Sequence, residues 1–151
     1  MLELAREADW EGVKRLSVQI HDLNAAWRPD VYFSCEEPYP QEKFREDMQN
    51  RMVYVAKADG LVLGYVVLSI LHKAGPGVME KKQLRLDSIC VDEAFRGQGI
   101  GRTMVTDIRA LAKVFGCREL VLGVHPENDG AVAFYQKCGF YIRTINMDMK
   151  L

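Results

Sequence analysis

Arg96-Gly97-Gln98-Gly99-Ile100-Gly101 is the segment of this 151-residue sequence whose residue types and spacing could do chemistry. It falls between a strand pattern and the start of the strongest helical pattern, where unpaired backbone N–H groups and the helix dipole favour an anion. Glycine permits positive φ and removes the Cβ atoms that would hold a pyrophosphate away from the amides, while Arg96 and Arg102 add positive charge. The alternative is a flexible, glycine-rich helix entry with no ligand. Two better-known motifs fail on spacing. Glycines at 97, 99 and 101 do not make GxGxxG, and no GK[ST] closes the run as a P-loop requires.

The helix that would carry this loop is the best defined in the chain. Ile100, Met104, Val105, Ile108, Leu111, Ala112 and Phe115 form an apolar stripe at helical period, closed by Gly116. Before the loop, Gln83 to Val91 predicts a strand with Leu84, Leu86, Ser88 and Cys90 on one face and Arg85, Asp87, Ile89 and Val91 on the other. Upstream, Leu2 to Leu4 predicts a short strand. Asp9 offers an N-cap to a helix carrying Val13, Leu16, Ile20, Leu23 and Trp27, which Pro29 ends. Residues 28–40 predict a loop and Gln41 to Asn50 a second helix. Met52 to Ala56 and Leu61 to Leu68 flank Asp59-Gly60, a two-residue hairpin signal. A further long loop is expected around residues 72–83. After the central helix come a buried strand, Glu119 to Val124, and a short helix, Asp129 to Cys138, capped by Gly139. A final strand is expected over Tyr141 to Leu151, where Ile145, Met147, Met149 and Leu151 alternate with Asn146, Asp148 and Lys150. This order predicts an α/β (α+β) fold, a mixed sheet with helices on both faces, in one domain over residues 1–151.

Composition bounds the function. Twenty Lys and Arg against twenty-one Asp and Glu leave a net charge of −1, so no general basic field exists for nucleic acid. Cys35, Cys90, Cys117 and Cys138 are widely spread and only three histidines accompany them, so neither a metal site nor a disulfide framework is expected. Residues 2–7 lack the basic start and apolar run of a secretory signal, and no apolar stretch is long enough to span a bilayer as a helix. A cytoplasmic protein with no membrane partner is expected.

The loop matches the pattern [Q/R]xxGx[G/A], which resembles the acyl-coenzyme A pyrophosphate loop of the GNAT superfamily of N-acetyltransferases. Its flanks extend the likeness: Leu86-Asp87-Ser88-Ile89-Cys90-Val91-Asp92 before it, and Asn128-Asp129-Gly130-Ala131-Val132-Ala133-Phe134-Tyr135-Gln136-Lys137-Cys138-Gly139-Phe140 after the next strand. The resemblance covers residues 84–140 closely and the rest by element order. It implies a mostly antiparallel central sheet of about six to seven strands, flanked by about four helices, with two strands splayed into a wedge for the cofactor arm. It implies acetyl-CoA as co-substrate, bound by Ile89, Cys90 and Val91 in the wedge, by Arg96, Gly97, Gln98, Gly99, Ile100, Gly101 and Arg102 in the loop, and by Asn128 and Tyr135.

The same resemblance makes Tyr135 the general acid for the departing thiolate, a role a phenol of pKa ~10 can fill while protonated at neutral pH. Its alternative is a core tyrosine with a satisfied hydroxyl. An oxyanion would meet a backbone N–H at Cys90 or Val91. Cys90 itself is expected to be a small buried hydrophobe, because direct transfer in a ternary complex needs no acyl-enzyme. Some relatives carry a glutamate base on the strand after the central helix, but this chain has Leu122-Gly123-Val124 there. Asp87 could take the amine's proton directly or through water, or be a solvated strand aspartate.

His21, Trp27, Tyr32 and His125, with Asp87, are candidate acceptor-binding residues. A lone histidine on a helix face is usually just solvated, the alternative for His21, and an apolar lid packed on the core explains Trp27 and Tyr32 as well. The expected activity is acetyl transfer to a primary amine of a small molecule or peptide. The competitor is a domain of the same fold that senses acyl-CoA without turnover, suggested by the missing glutamate. The apolar alternation of the last eleven residues could finish the sheet or pair with another copy in a homodimer.

Overall fold

The structure is a computed structural model describing residues 1–151. Five strands form one sheet in the order β1(Leu2–Leu4), β2(Val53–Ala58), β3(Leu61–Gly75), β4(Val78–Val91), β5(Glu119–Leu122). Neighbours are antiparallel except β4 and β5, which are parallel. Four α-helices accompany them: α1(Trp10–Trp27), α2(Gln41–Gln49), α3(Ile100–Val114) and α4(Asp129–Lys137). The β2–β3 turn has positive φ at both Asp59 (49°) and Gly60 (77°), the twist a two-residue hairpin demands.

The sheet separates two cores. On one face Val13 and Leu16 of α1 and Phe44 of α2 are fully buried against Val53, Val55, Val62, Tyr65 and Val67. On the other, Met104, Ile108 and Ala112 of α3 pack on Tyr54, Ala56, Val66, Leu68, Leu84 and Leu86. Each large apolar side chain among them contributes about 1.5–3 kcal/mol relative to exposure. The period-2 alternation of β2 feeds both layers, which explains why Val53 to Ala56 are all buried.

The structure corrects four expectations. The sheet has five strands, fewer than the six to seven the resemblance implied. Tyr141 to Leu151 forms no strand: it makes no backbone hydrogen bond to the sheet, so its strand-like alternation has no ladder to join. Residues 72–83 are not a loop, because β3 and β4 run on as a long hairpin to Gly75 and Val78. Finally, the face assignment along β4 changes midway. Val67 pairs with Ser88 but its neighbour Leu68 pairs with Leu86, so Asp87 is the extra residue of a β-bulge. Leu84 and Leu86 therefore face α3, whereas Cys90 faces α1, and Ile89 and Val91 pack on the α3 side.

The chain has no helix long and apolar enough to cross a membrane, and its four cysteines are unpaired. No group of three or more His, Cys, Asp or Glu side chains is arranged to hold a metal ion.

Candidate active site

The bulge and the shortness of β5 together open the sheet. The β4–β5 ladder ends at the pair Leu86 and Leu122, while β4 continues through Ser88, Ile89, Cys90 and Val91, paired on its other side to β3. Beyond Leu122 the chain leaves the sheet, so this stretch of β4 keeps a free edge on the β5 side. An extended amide-bearing molecule can add to such an edge as a strand would. The side chain of Arg96 reaches back to its far end, where Nε–H donates to the Val91 carbonyl at 3.1 Å.

The loop after β4 is anchored from α1. The Arg15 guanidinium pairs with the buried carboxylate of Asp92 and donates to the Val62 carbonyl at 2.9 Å. Gln19 donates to Asp92 at 3.2 Å and accepts from the Glu93 N–H at 3.1 Å. Burial alone would raise the Asp92 pKa; the bonds from Arg15, the Ala94 N–H and Gln19 overcome it and leave it lowered.

Gly97 and Gly99 have φ of 78° and 84°, and a Cβ on either would enter open space. Gly99 occupies the N-cap position of α3 with no side chain covering the first-turn amides. These exposed amides, flanked by Arg96 and Arg102, fit a pyrophosphate at a helix N-terminus. Gly101 lets α4 close over the helix entry, since a Cβ there would lie 3.1 Å from the Phe134 ring and 3.7 Å from Val91. A smaller cavity of about 250 Å³ continues between α3 and α4, lined by Arg102, Arg109 and Lys137 with no carboxylate.

Asn128 caps α4, its side-chain oxygen accepting from the Ala131 N–H at 3.1 Å. Farther along the same helix, Tyr135 sits between Phe134 and Phe140 at ring distances of 5.3 and 5.6 Å. Its hydroxyl makes no hydrogen bond within the chain. Burial, reinforced by Cys138 and Cys90, pushes its pKa up to about 12. Cys90 is buried, and burial likewise pushes its thiol up to about 11, which opposes thiolate formation.

On the other side of β4, α1, α2 and the sheet enclose a cleft of about 680 Å³. Asp87 opens into it, ion-paired to Arg85. Part of its wall is built by residues that no sequence motif marked, Tyr39, Asp47 and Tyr65 among them. Tyr39 stacks on Tyr65 at 6.4 Å and 13°, and donates to Asp47 at 2.8 Å. Asp47 also accepts from Lys43 at 2.8 Å, and the Tyr65 hydroxyl bonds to Ser88 at 2.7 Å. Burial raises both tyrosines far above the ordinary phenol range. A tyrosine between two prolines, Pro38 and Pro40, was the available signal for Tyr39.

His21, Trp27, Tyr32 and His125 are brought together as one aromatic cluster. Tyr32 lies edge-on to His21 (5.9 Å) and His125 (6.4 Å), and Trp27 lies 5.9 Å from His125. Of the four, only His21 lines the cleft, and its Nε2–H donates to the Phe33 carbonyl at 2.7 Å. The cluster binds the 28–40 loop to the chain just beyond β5.

Among known proteins, the chain is 29% identical over 123 residues to glucosamine 6-phosphate N-acetyltransferase 1 of Oryza sativa subsp. japonica, covering 77% of this chain and 73% of that enzyme. It is 30% identical over 110 residues to N-alpha-acetyltransferase RimI of Mycobacterium tuberculosis, covering 72% of this chain and 65% of the other. Aminoglycoside N(6')-acetyltransferase type 1 of Salmonella typhimurium is 29% identical over 87 residues, or 58% of this chain and 60% of that enzyme. Among solved structures, a mutant of the BH1408 protein of Bacillus halodurans superposes with TM-score 0.95 at 28% identity, covering 100% of this chain and 99% of that one. The aminoglycoside N-acetyltransferase AAC(6')-Iy, solved in complex with CoA, shares the fold at TM-score 0.71 and 22% identity over the full length of both chains. The sequence model of the Acetyltransferase (GNAT) family matches residues 11–140, and this chain therefore belongs to the GNAT family of N-acetyltransferases.

Proposed function

We propose that residues 1–151 act as one acetyltransferase domain that moves an acetyl group from acetyl-CoA to a primary amine of a small molecule or peptide, directly and within a ternary complex. The observation that carries the proposal is the free edge of β4 from Ser88 to Val91, set between the glycine loop, Tyr135 and the cleft at Asp87. Acetyl-CoA, when bound, supplies an acetyl thioester. The first-turn amides of α3, with Arg96 and Arg102, hold the pyrophosphate, and Ile89 and Val91, whose backbone groups face the open edge, hold the amide-bearing arm, with Cys90 between them paired to Tyr65 of β3. Asp87, at the cleft wall, takes a proton from the incoming amine directly or through water. The Val91 N–H, on the open edge, faces the developing oxyanion; the Asp92 N–H bond to the Leu63 carbonyl sets a register in which the Cys90 N–H points to β3 instead. As the N–C bond forms and the C–S bond breaks, Tyr135 gives its proton to the sulfur. Its pKa, raised by burial, keeps it in the donor form at neutral pH.

The names of these relatives cover an amino sugar phosphate, an aminoglycoside and an α-amine, three acceptors that share an amine. The cleft here holds two carboxylates, Asp47 and Asp87, each beside a cation, which supports an amine-bearing acceptor without demanding strong net charge. The test is thiol release from acetyl-CoA with a panel of amines. Release with at least one amine, lost in Tyr135→Phe, is expected. Calorimetric CoA binding with no release for any amine overturns catalysis and leaves the acyl-CoA sensor.

A further inference from the structure

The cleft between α1, α2 and the sheet is lined by four charged side chains, Lys43, Asp47, Arg85 and Asp87. Two of them are spent inside the chain. Asp47 accepts from Lys43 at Oδ1 and from Tyr39 at Oδ2, both at 2.8 Å, and Lys43 also reaches Glu46 at 3.4 Å. The other two are joined by one bond only, from Arg85 Nε–H to Asp87 Oδ1. That single contact leaves Asp87 Oδ2 without a donor, and both terminal nitrogens of Arg85 without an acceptor, within the chain.

The fold keeps these unspent groups on one side of the sheet. Arg85 and Asp87 both open into the cleft, and opposite Arg85 on β3 stands Ser69, which lines the same cleft with a hydroxyl that is buried and has no partner in the chain. Cross-strand neighbours lie about 4.5–5.5 Å apart at Cβ, so one rotamer step of Ser69 adds a further donor beside the guanidinium. Around them Ile20, Pro38, Met52 and Ile70, with the stacked rings of Tyr39 and Tyr65, make the lining apolar. A carboxylate alone in such a wall suits any amine. A carboxylate with an open guanidinium fork beside it suits a molecule that carries both charges.

We propose that the acceptor is a zwitterion: an amine whose own molecule carries an oxyanion, carboxylate or phosphate, a few bonds away. The inference rests on the acetyltransferase reading of this cleft and specifies what that site takes. The ammonium docks on Asp87 Oδ2, and the oxyanion lies across the two terminal nitrogens of Arg85, whose planar fork matches two oxygens at once. Because Arg85 and Asp87 touch each other, the two charges of the ligand must also be close, as in an α- or β-amino acid or a short aminoalkyl phosphate. The apolar lining leaves room for a hydrocarbon side chain. A neutral amine leaves the fork empty, and a diamine sets a second cation against it.

Thiol release from acetyl-CoA, and calorimetric binding in the presence of CoA, test this on two pairs: phenylalanine against phenylalaninamide, and phosphoethanolamine against ethanolamine. The anionic member of at least one pair is expected to be preferred about tenfold or more in kcat/KM and in Kd, and the pair that shows it tells carboxylate from phosphate. Amine acidity works against that result in the first pair. Phenylalaninamide lacks the carboxylate that helps hold a proton on the amine, so a site indifferent to charge acetylates the amide faster. Arg85→Met, at a half-exposed position, is expected to lower the preference about five- to tenfold with circular dichroism unchanged. Arg85→Lys, which keeps the charge without the fork, should fall between. Equal use of neutral and anionic amines overturns the inference while acetyl transfer stands; anion-selective binding with no thiol release keeps the zwitterion site and overturns acetyl transfer. Selectivity that Arg85→Met leaves intact also overturns the inference, as does the absence of any selectivity in binding or rate.

Discussion

Arg85 and Asp87, separated by one residue of β4, form an ion pair across the bulge at the mouth of the cleft, with Arg85 Nε–H donating to Asp87 Oδ1. The bulge places the carboxylate on the cleft side while Leu86 between them turns into the α3 core. If Asp87 takes the amine's proton, Asp87→Asn lowers kcat/KM by about 10²–10⁴-fold and leaves the CoA Kd unchanged. Arg85→Met costs far less, because half-exposed pairs contribute about 0–1 kcal/mol. Steady-state kinetics with calorimetry separates the two, and a full-rate Asp87→Asn enzyme would remove Asp87 from the chemistry.

Tyr135→Phe deletes one oxygen whose hydroxyl holds no partner in the chain, so folding stability should move little. The expected loss is in kcat, about 10²-fold or more, with CoA affinity retained. The proposed acid must be protonated to act, and burial has pushed Tyr135 up to about 12. The pH–rate profile of the unaltered enzyme should therefore show no alkaline limb at the ordinary phenol pKa of ~10.

Alkali should unfold this protein. Cys90 is pushed up to about 11 and Tyr135 to about 12, and Tyr39 and Tyr65 are also raised, in each case chiefly by burial. A raised folded pKa means the neutral form is favoured by folding. The contribution is complete below the unfolded values of about 9 and 10 and is lost as pH rises through the folded ones. Denaturant midpoints should hold steady to about pH 9 and fall progressively toward pH 12. A flat midpoint to pH 12 would contradict the burial of these groups.

The glycine-rich loop before α3 makes a separable prediction. Gly99→Ala forces an L side chain to φ 84° at a cost of about 1–2 kcal/mol, and puts a methyl into the anion cradle. Both thermal stability and CoA affinity should fall. Arg102→Ala touches only charge at an exposed position, so CoA affinity should fall several-fold with Tm unchanged, and the difference should shrink in high salt. Calorimetry at two ionic strengths checks it.

Gly12→Ala tests the α1–sheet contact away from the chemistry. A Cβ there would lie 2.7 Å from both Cβ and Cγ2 of Val62, a β-branched side chain that cannot swing aside. The helix must shift, at about 1–3 kcal/mol, and Arg15 and Gln19 shift with it. Thermal denaturation should show the loss even in saturating CoA.

Much of the local structure of the candidate cofactor side was legible because it is local. The glycine spacing, the apolar stripe of α3, the Asn128 cap and the Asp59-Gly60 turn depend on short-range patterns that neighbouring residues specify. The acceptor side was not, because Tyr39, Asp47, Tyr65, Ser88 and Arg85 meet only when α2 packs on the sheet. No motif spacing encodes a contact between residues dozens of positions apart.

The sequence by itself determined the family, the order of most elements and the glycine-rich entry to α3, since each rests on short-range patterns of glycine, charge and apolar period. Only the tertiary structure decided the face on which each β4 side chain falls and the fate of the last eleven residues. Register is a property of two strands together, so one extra residue at Asp87 reverses the facing of every β4 side chain beyond it. For the same reason the alternation of residues 145–151 could announce a strand without making one: a strand exists only when another backbone accepts its hydrogen bonds, and within one copy of the chain none does.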